Sequence, residues 1–161
     1  MRVLGIDPGS RRTGWGVVQL EGTRLHPIAS GTISVSGSLA LPARLRRIHE
    51  GLIEVISLHR PEAVAVEEIF FAKHANAALK LGHARGVALL VAAESDIDVH
   101  EYPPAIVKRT VVGRGAADKV QVGRLVTALL GLRAPPQEDA ADALAVAITH
   151  IQASRSAGLS R

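Results

Sequence analysis

Residues 3–35, VLGIDPGSRRTGWGVVQLEGTRLHPIASGTISV, decide the fold class. Val3 to Ile6 is a short apolar run of the kind found in strands buried on both faces. GWGVVQL (14–20), the turn EGT and the stretch 24–35 then read as two further strands of a meander. Beyond residue 40 the pattern alternates. From 41 to 58, apolar residues fall at Leu41, Leu45, Ile48, Leu52 and Val55, in steps of three and four that mark an amphipathic helix. EAVAVEEIFF (62–71) returns to a β-like run, the Ala-rich segment 73–93 has high helix propensity, and IDVHEY (97–102) is a fifth strand. Pro103-Pro104 opens a short helix toward Val112, and GRGAADK (113–119) is a flexible basic loop. A helix then runs to about Leu130 and stops at Gly131, and a last helix begins after Pro135-Pro136. Three strands followed by alternating helices and strands predict an α/β domain, with a mixed sheet of about five strands flanked by helices. One domain over 1–153 is expected, with 154–161 (SRSAGLSR) a disordered tail. No repeat or interdomain linker interrupts it.

The bulk numbers agree with one compact domain: 161 residues, of which 47% are hydrophobic. Aromatics are only 2%, so the core must be built of Ala, Val, Leu and Ile. Lys and Arg outnumber Asp and Glu by 19 to 15 and the pI is about 10.1, which favours a polyanionic partner. Without cysteine, disulfides, thiol catalysis and Cys-based zinc sites are excluded. The start MRVLGID lacks the basic and apolar regions of a signal peptide. The longest apolar run, GVALLVAA (86–93), is far short of the ~20 residues of a membrane span. A soluble cytoplasmic protein with no membrane partner is expected.

The acids are placed unevenly. Asp7 closes the first strand before the turn Pro8-Gly9-Ser10, and Glu67 and Glu68 close the fourth. In open α/β sheets, sites collect where strands meet their C-terminal loops. In PPQEDAADALAVAITH (135–150), Glu138, Asp139 and Asp142 fall within five positions at the head of an otherwise apolar helix. Asp139 and Asp142 are three apart, so they share a helix face. A helix N-terminus stabilises negative charge and accounts for Asp139 on structural grounds alone; a turn cap accounts equally well for Asp7. Asp142 is less easily explained, because Ala141, Ala143 and Leu144 suggest a buried surround. Ionised acids are seldom buried unless paired or bound to a cation. As a set, a strand-end Asp, a strand-end Glu and an Asp-x-x-Asp pair make an all-oxygen cage suited to Mg²⁺. Two such ions ~4 Å apart activate a water and stabilise the leaving 3′ oxygen of a phosphodiester.

LGIDPGSRRTGWGVV, VEEIFFAKHANAALKLGHARG, VKRTVVGRGAADK and DAADALAVAITH resemble the RuvC Holliday junction resolvases, in order and nearly without gaps from about residue 3 to 152. The resemblance implies an RNase H-like fold and a homodimer acting on four-way DNA junctions with Mg²⁺ or Mn²⁺. It also implies paired symmetric nicks in opposing strands, leaving 5′-phosphate and 3′-hydroxyl ends, and partnership with the branch-migration proteins RuvA and RuvB in recombination and repair. Carried over by position, the metal-binding and catalytic acids are Asp7, Glu67, Asp139 and Asp142. Of Glu67 and Glu68 only one can share a strand face with Asp7, and the motif places Glu67. Lys108 and Lys119 match basic residues near the scissile region, and Phe70 matches an aromatic that stacks on bases. Lys73 and Arg114 are further candidates for phosphate contact, with solvated surface an equal reading. Ala75, Ala78, Gly82 and Gly86 fall at steps of three and four, and glycine inside a helix costs about 1 kcal/mol, so the stripe implies close packing. Packing on the protein's own sheet would serve. The resemblance points instead to a dimer contact through Ala78, Gly82 and Gly86.

Three other readings compete. An RNase H-like nuclease of the YqgF type, acting on RNA, shares the GID start but not the DAADALA ending. Actin-like kinases and ATPases need two such domains, for which 161 residues are too few. A non-catalytic junction-binding protein would have no use for four clustered carboxylates, which repel DNA unless cations are present.

Overall fold

The computed structural model describes residues 1–68, 75–113 and 118–159. Its elements run β1 (Arg2–Asp7), β2 (Arg12–Glu21), β3 (Arg24–Ser34), α1 (Leu41–His59), β4 (Ala63–Glu67), α2 (Ala75–Glu94), β5 (Val99–Tyr102), α3 (Pro104–Val112), α4 (Lys119–Leu130) and α5 (Glu138–Leu159). The five strands form one sheet in the order β3-β2-β1-β4-β5. The meander β1-β2-β3 is antiparallel, whereas β4 and β5 add to β1 in parallel, so the sheet is mixed as expected.

Strand alternation divides the interior into two cores. Leu4, Ile6, Val17, Val64 and Val66 point to one face and pack with Ile48 and Leu52 of α1 and Ala84, Ala88 and Val91 of α2. Val3, Val18, Ala63 and Ala65 point to the other and pack against α3, α4 and α5. By the same parity, Asp7 and Glu67 stand on the α5 face, one residue beyond the paired Ile6 and Val66.

α5 lies directly on the sheet backbone. A Cβ at Gly5 would sit 2.0 Å from the Ala143 carbonyl oxygen, and one at Gly14 would sit 1.9 Å from that of Asp139. Gly16 is under Leu144 in the same way. The helix answers with small residues: Ala140, Ala141, Ala143, Ala145 and Ala147 are all buried. This close seat fixes the height of Asp139 and Asp142 above β1.

Two boundaries differ from the sequence reading. The fourth strand spans Ala63–Glu67, shorter than the 62–71 run, whose Phe70 and Phe71 lie outside the described residues. Residues 154–159, expected to be a disordered tail, continue α5. No proline interrupts them, and the Ser154 and Ser156 hydroxyls donate to the carbonyls of His150 and Gln152, adding bonds along the helix. Among the described residues, no helix is long and apolar enough to cross a membrane.

Candidate active site

Asp7, Glu67 and Asp142 meet in a pocket of about 190 Å³ at the C-terminal ends of β1 and β4, with Lys108, Lys119 and an apolar wall of Val107 and Val122. Asp7 arrives there because β1 places odd-numbered residues toward α5. Asp142 arrives because it is one turn into a helix whose flanking alanines are buried. The adjacent strand pair is braced at its end by Tyr102, which pairs with Glu67 across the sheet and whose hydroxyl is 2.8 Å from Nδ1 of His150 on α5.

Burial pushes the Asp7 carboxyl up to about 7, with repulsion from Glu67 and Asp142 adding to it. Glu67 is likewise pushed up to about 7, by burial first and then by Asp142. Asp142 is raised by burial, an effect that outweighs its ion pair with Lys119. Lys119 lowers all three acids, Lys108 lowers Glu67, and neither lysine compensates for the desolvation. The Lys119 ammonium is 2.6 Å from Oε1 of Glu138 and 3.3 Å from Oδ2 of Asp142, and the Glu138 hydrogen bond holds its own pKa well up. Three carboxylates thus face a shared space that disfavours their joint ionisation, and added positive charge would relieve it.

Asp139 stands beside this group and is engaged differently. Its Oδ2 accepts from Nε2 of Gln137 at 2.8 Å and pairs with Nε of Arg12 at 3.3 Å. Among the described residues, no three acids or histidines close around one point tightly enough to hold a metal ion. The donor set nevertheless fits one: oxygen donors only, negative, partly desolvated and gathered at one pocket, as hard divalent cations require.

The register separates the two glutamates. Glu67 is the last strand residue and lines the pocket; Glu68 lies beyond β4, with its backbone N–H donating to the Tyr102 carbonyl. If the pocket is the nuclease centre that the resemblance implies, Glu67→Gln lowers strand cleavage by on the order of 10³-fold or more and Glu68→Gln by less than about threefold, since only the first alters a group lining it. Steady-state nicking rates on one DNA substrate check this, and the reverse ranking would show that the strand register is wrong.

Lys108 and Lys119 are brought together with the acids. Phe70, Lys73 and Arg114 lie outside the described residues. Gly82 and Gly86 are exposed, and a Cβ at either would meet nothing within 4 Å, so neither packs on the protein's own sheet. Ala78 is half-buried, and Ala84, Ala88, Val91 and Ala92 make the sheet contact instead. Arg12 and Gln137 were not legible as site residues. Each is polar and lies near a motif, which is no distinguishing signal.

A family model described as "Crossover junction endodeoxyribonuclease RuvC" matches residues 3–150. A protein of that name from Sorangium cellulosum is 57% identical over 153 residues, covering 95% of this chain and 86% of the relative. Another from Afipia carboxidovorans is 56% identical over 161 residues, covering 100% of this chain and 94% of the relative. Among solved structures, Thermus thermophilus RuvC in complex with Holliday junction substrate superposes with a TM-score of 0.91 at 40% identity, over 98% of this chain and 96% of the other. The yeast mitochondrial Holliday junction resolvase Ydc2 shares the fold, with a TM-score of 0.65 at 13% identity over 91% of this chain and 76% of the other.

Proposed function

Since the chain belongs to the RuvC family of crossover junction endodeoxyribonucleases, with their RNase H-like fold, we propose that Asp7, Glu67, Asp139 and Asp142 carry its nuclease chemistry on four-way DNA junctions. The observation that carries this reading is the convergence of Asp7, Glu67 and Asp142 at one pocket, with Asp139 beside it. The four acids hold divalent cations, two Mg²⁺ ions per site with Mn²⁺ able to substitute. A bound cation supplies charge that activates water and stabilises the leaving 3′ oxygen. Water adds to phosphorus as the bond to the 3′ oxygen breaks, leaving a 5′-phosphate and a 3′-hydroxyl.

The chain's own groups prepare that step. Asp7 and Glu67 are pushed up to about 7 by burial, so they gain most from a cation that stabilises their ionised forms. Lys119 opens α4, capped by the Asp118 side chain, and its ammonium already counters the acids; together with Lys108 it presents positive charge to the scissile phosphate. Phe70 stacks on a base near the crossover, while Lys73 and Arg114 contact phosphates.

A four-way junction has two-fold symmetry, and a two-fold homodimer offers one acid set to each of two opposing strands. Leu79 (63% exposed), Gly82, Gly86 and Leu90 (51% exposed) share one open face of α2, with Ala78 at its border, and this face supports the dimer reading. Gly82→Leu is expected to weaken dimerisation by at least about tenfold, because a bulky side chain on a close-packed stripe separates the helices. Light scattering checks the mass, and a cruciform plasmid checks the coupling: paired cuts linearise it, whereas lone nicks only relax it. A monomeric wild type that still makes paired cuts, with no dimer forming on DNA, would overturn the dimer.

RuvA and RuvB are the branch-migration partners in this reading, and the bacterial cytoplasm is its setting. The deciding experiment incubates the protein with a labelled four-way junction, linear duplex of the same sequence, or single-stranded RNA, with and without Mg²⁺. Symmetric cleavage confined to the junction and dependent on Mg²⁺ is expected. Preferred RNA cleavage would indicate an RNA-processing nuclease, and tight junction binding without cleavage a non-catalytic binder.

A further inference from the structure

Asp7 on β1 pairs with Gly14 on β2, and Gly14 pairs with Thr32 on β3, so the three form one row across the sheet. Gly14 is the floor beneath Asp139. Thr32, at the far end of the row, donates its hydroxyl to Oε1 of Gln137. Gln137 turns its amide nitrogen to Oδ2 of Asp139 at 2.8 Å, and Arg12 reaches the same oxygen from β2 at 3.3 Å. The Asp139 carboxylate can only accept and so takes the amide nitrogen, and the threonine hydroxyl anchors the amide oxygen on the other side. Held at both ends, the amide keeps Nε2 on the carboxylate; without the threonine donor it loses its second anchor and is free to swing away from Asp139. Both contacts fall on Oδ2, so the other Asp139 oxygen is the one left for a cation.

We propose that Thr32, Gln137 and Arg12 form a positioning network for Asp139, which sets how strongly the site takes up its divalent cation. The proposal rests on the reading of Asp139 as a metal ligand. Groups that orient a ligating carboxylate are ordinarily worth roughly 10–100-fold in metal affinity. Here the orienting contact crosses from the edge strand of the sheet to the head of α5. It therefore ties cation uptake to the seating of that helix on β3. Gln137 also supplies the carbonyl that accepts from the Ala141 N–H, so its backbone is fixed immediately before α5 and only its side chain is free to respond.

The test is calorimetric titration of the full chain with Mn²⁺ in the absence of DNA, paired with the Mg²⁺ dependence of junction nicking. Thr32→Val and Gln137→Ala are expected to weaken Mn²⁺ binding by about tenfold, while Thr32→Ser, which keeps the hydroxyl, stays within about twofold of wild type. The half-saturating Mg²⁺ concentration for nicking should rise in step, with the rate at saturating Mg²⁺ falling less than about threefold. A network that only docks β3 to α5 would lower the melting temperature and the saturating rate and leave the half-saturating concentration unchanged, overturning the proposal. Unaltered Mn²⁺ affinity in both Thr32→Val and Gln137→Ala, with Asp139→Asn weakened, overturns the network and leaves the ligand reading intact. Unaltered affinity in Asp139→Asn removes Asp139 from the ligand set, and the proposal with it.

Discussion

Asp7→Asn is expected to lower junction cleavage by on the order of 10⁴-fold while junction binding persists or tightens. The carboxylate lines the pocket with Glu67 and Asp142, and on the proposed reading its loss removes both a cation ligand and a charge that repels phosphate. The same substitution should stabilise the fold above neutrality. Asp7 has its pKa raised from an ordinary 3.8 to about 7 in the folded protein, so the folded state holds the proton more tightly than the unfolded one. Its favourable contribution is fully present below pH 3.8 and is lost as pH rises through about 7. At pH 8 the wild type carries a buried charge that Lys119 compensates only in part and that asparagine lacks. A gain of about 2 kcal/mol would raise the melting temperature by roughly 5 °C at pH 8, and the gain should shrink toward zero near pH 4. Nicking assays and melts at the two pH values check both parts. Near-normal nicking would falsify the assignment of Asp7, and a variant less stable than wild type at pH 8 would contradict its burial.

Gly14→Ala should damage the site from below. The added methyl would lie 1.9 Å from the Asp139 carbonyl oxygen and 3.0 Å from its Cβ. Both obstacles belong to a helix held by its buried alanines, so α5 must lift or tilt. Overpacking of this kind costs about 1–3 kcal/mol, equivalent to a fall of roughly 3–10 °C in melting temperature. Misplacement of reacting groups by about 1 Å costs on the order of 10²-fold in rate. Gly123→Ala is the matched comparison: it lies inside α4 with nothing within 4 Å of its Cβ, and should gain up to about 1 kcal/mol from helix propensity. Cleavage by Gly14→Ala at the wild-type rate would mean that the helix seat does not determine the spacing of the acids.

Most of the fold was readable because strand and helix periods leave local traces. The apolar steps from Leu41 to Val55 and the runs at 3–6 and 62–71 needed no tertiary information, although the second run is longer than the strand, which ends at Glu67. The acids were legible as strand ends and a helix head, although residue spacing alone left structural explanations for Asp7 and Asp139. Strand period said only that one of Glu67 and Glu68 could join Asp7, and the family motif named Glu67; the structure adds the physical ground, since Ala63 and Ala65 face α5 while Val64 and Val66 face α1 and α2. Thr32 and Gln137 are 105 residues apart and linked by a single hydrogen bond, which leaves no periodic trace in either segment. The continuation of α5 past residue 153 was missed because a polar, serine-rich sequence resembles a loop until its hydroxyls are seen bonding back along the helix.

The seat of α5 on β1 and β2 also has a consequence in time. Of the elements described, α5 is the last to be synthesised, yet it brings Asp139 and Asp142 and covers the glycines of the two strands. At roughly 5–20 residues per second, the interval between β1 and α5 lasts about 7–26 s on the ribosome. During that interval the strands carry Asp7 and Glu67 but no partner acids, and the half-built sheet presents a bare apolar face. On the proposed reading of the acids, a nascent chain is therefore unable to cut DNA at the same moment that it is vulnerable to aggregation. Both conditions end together when the helix docks.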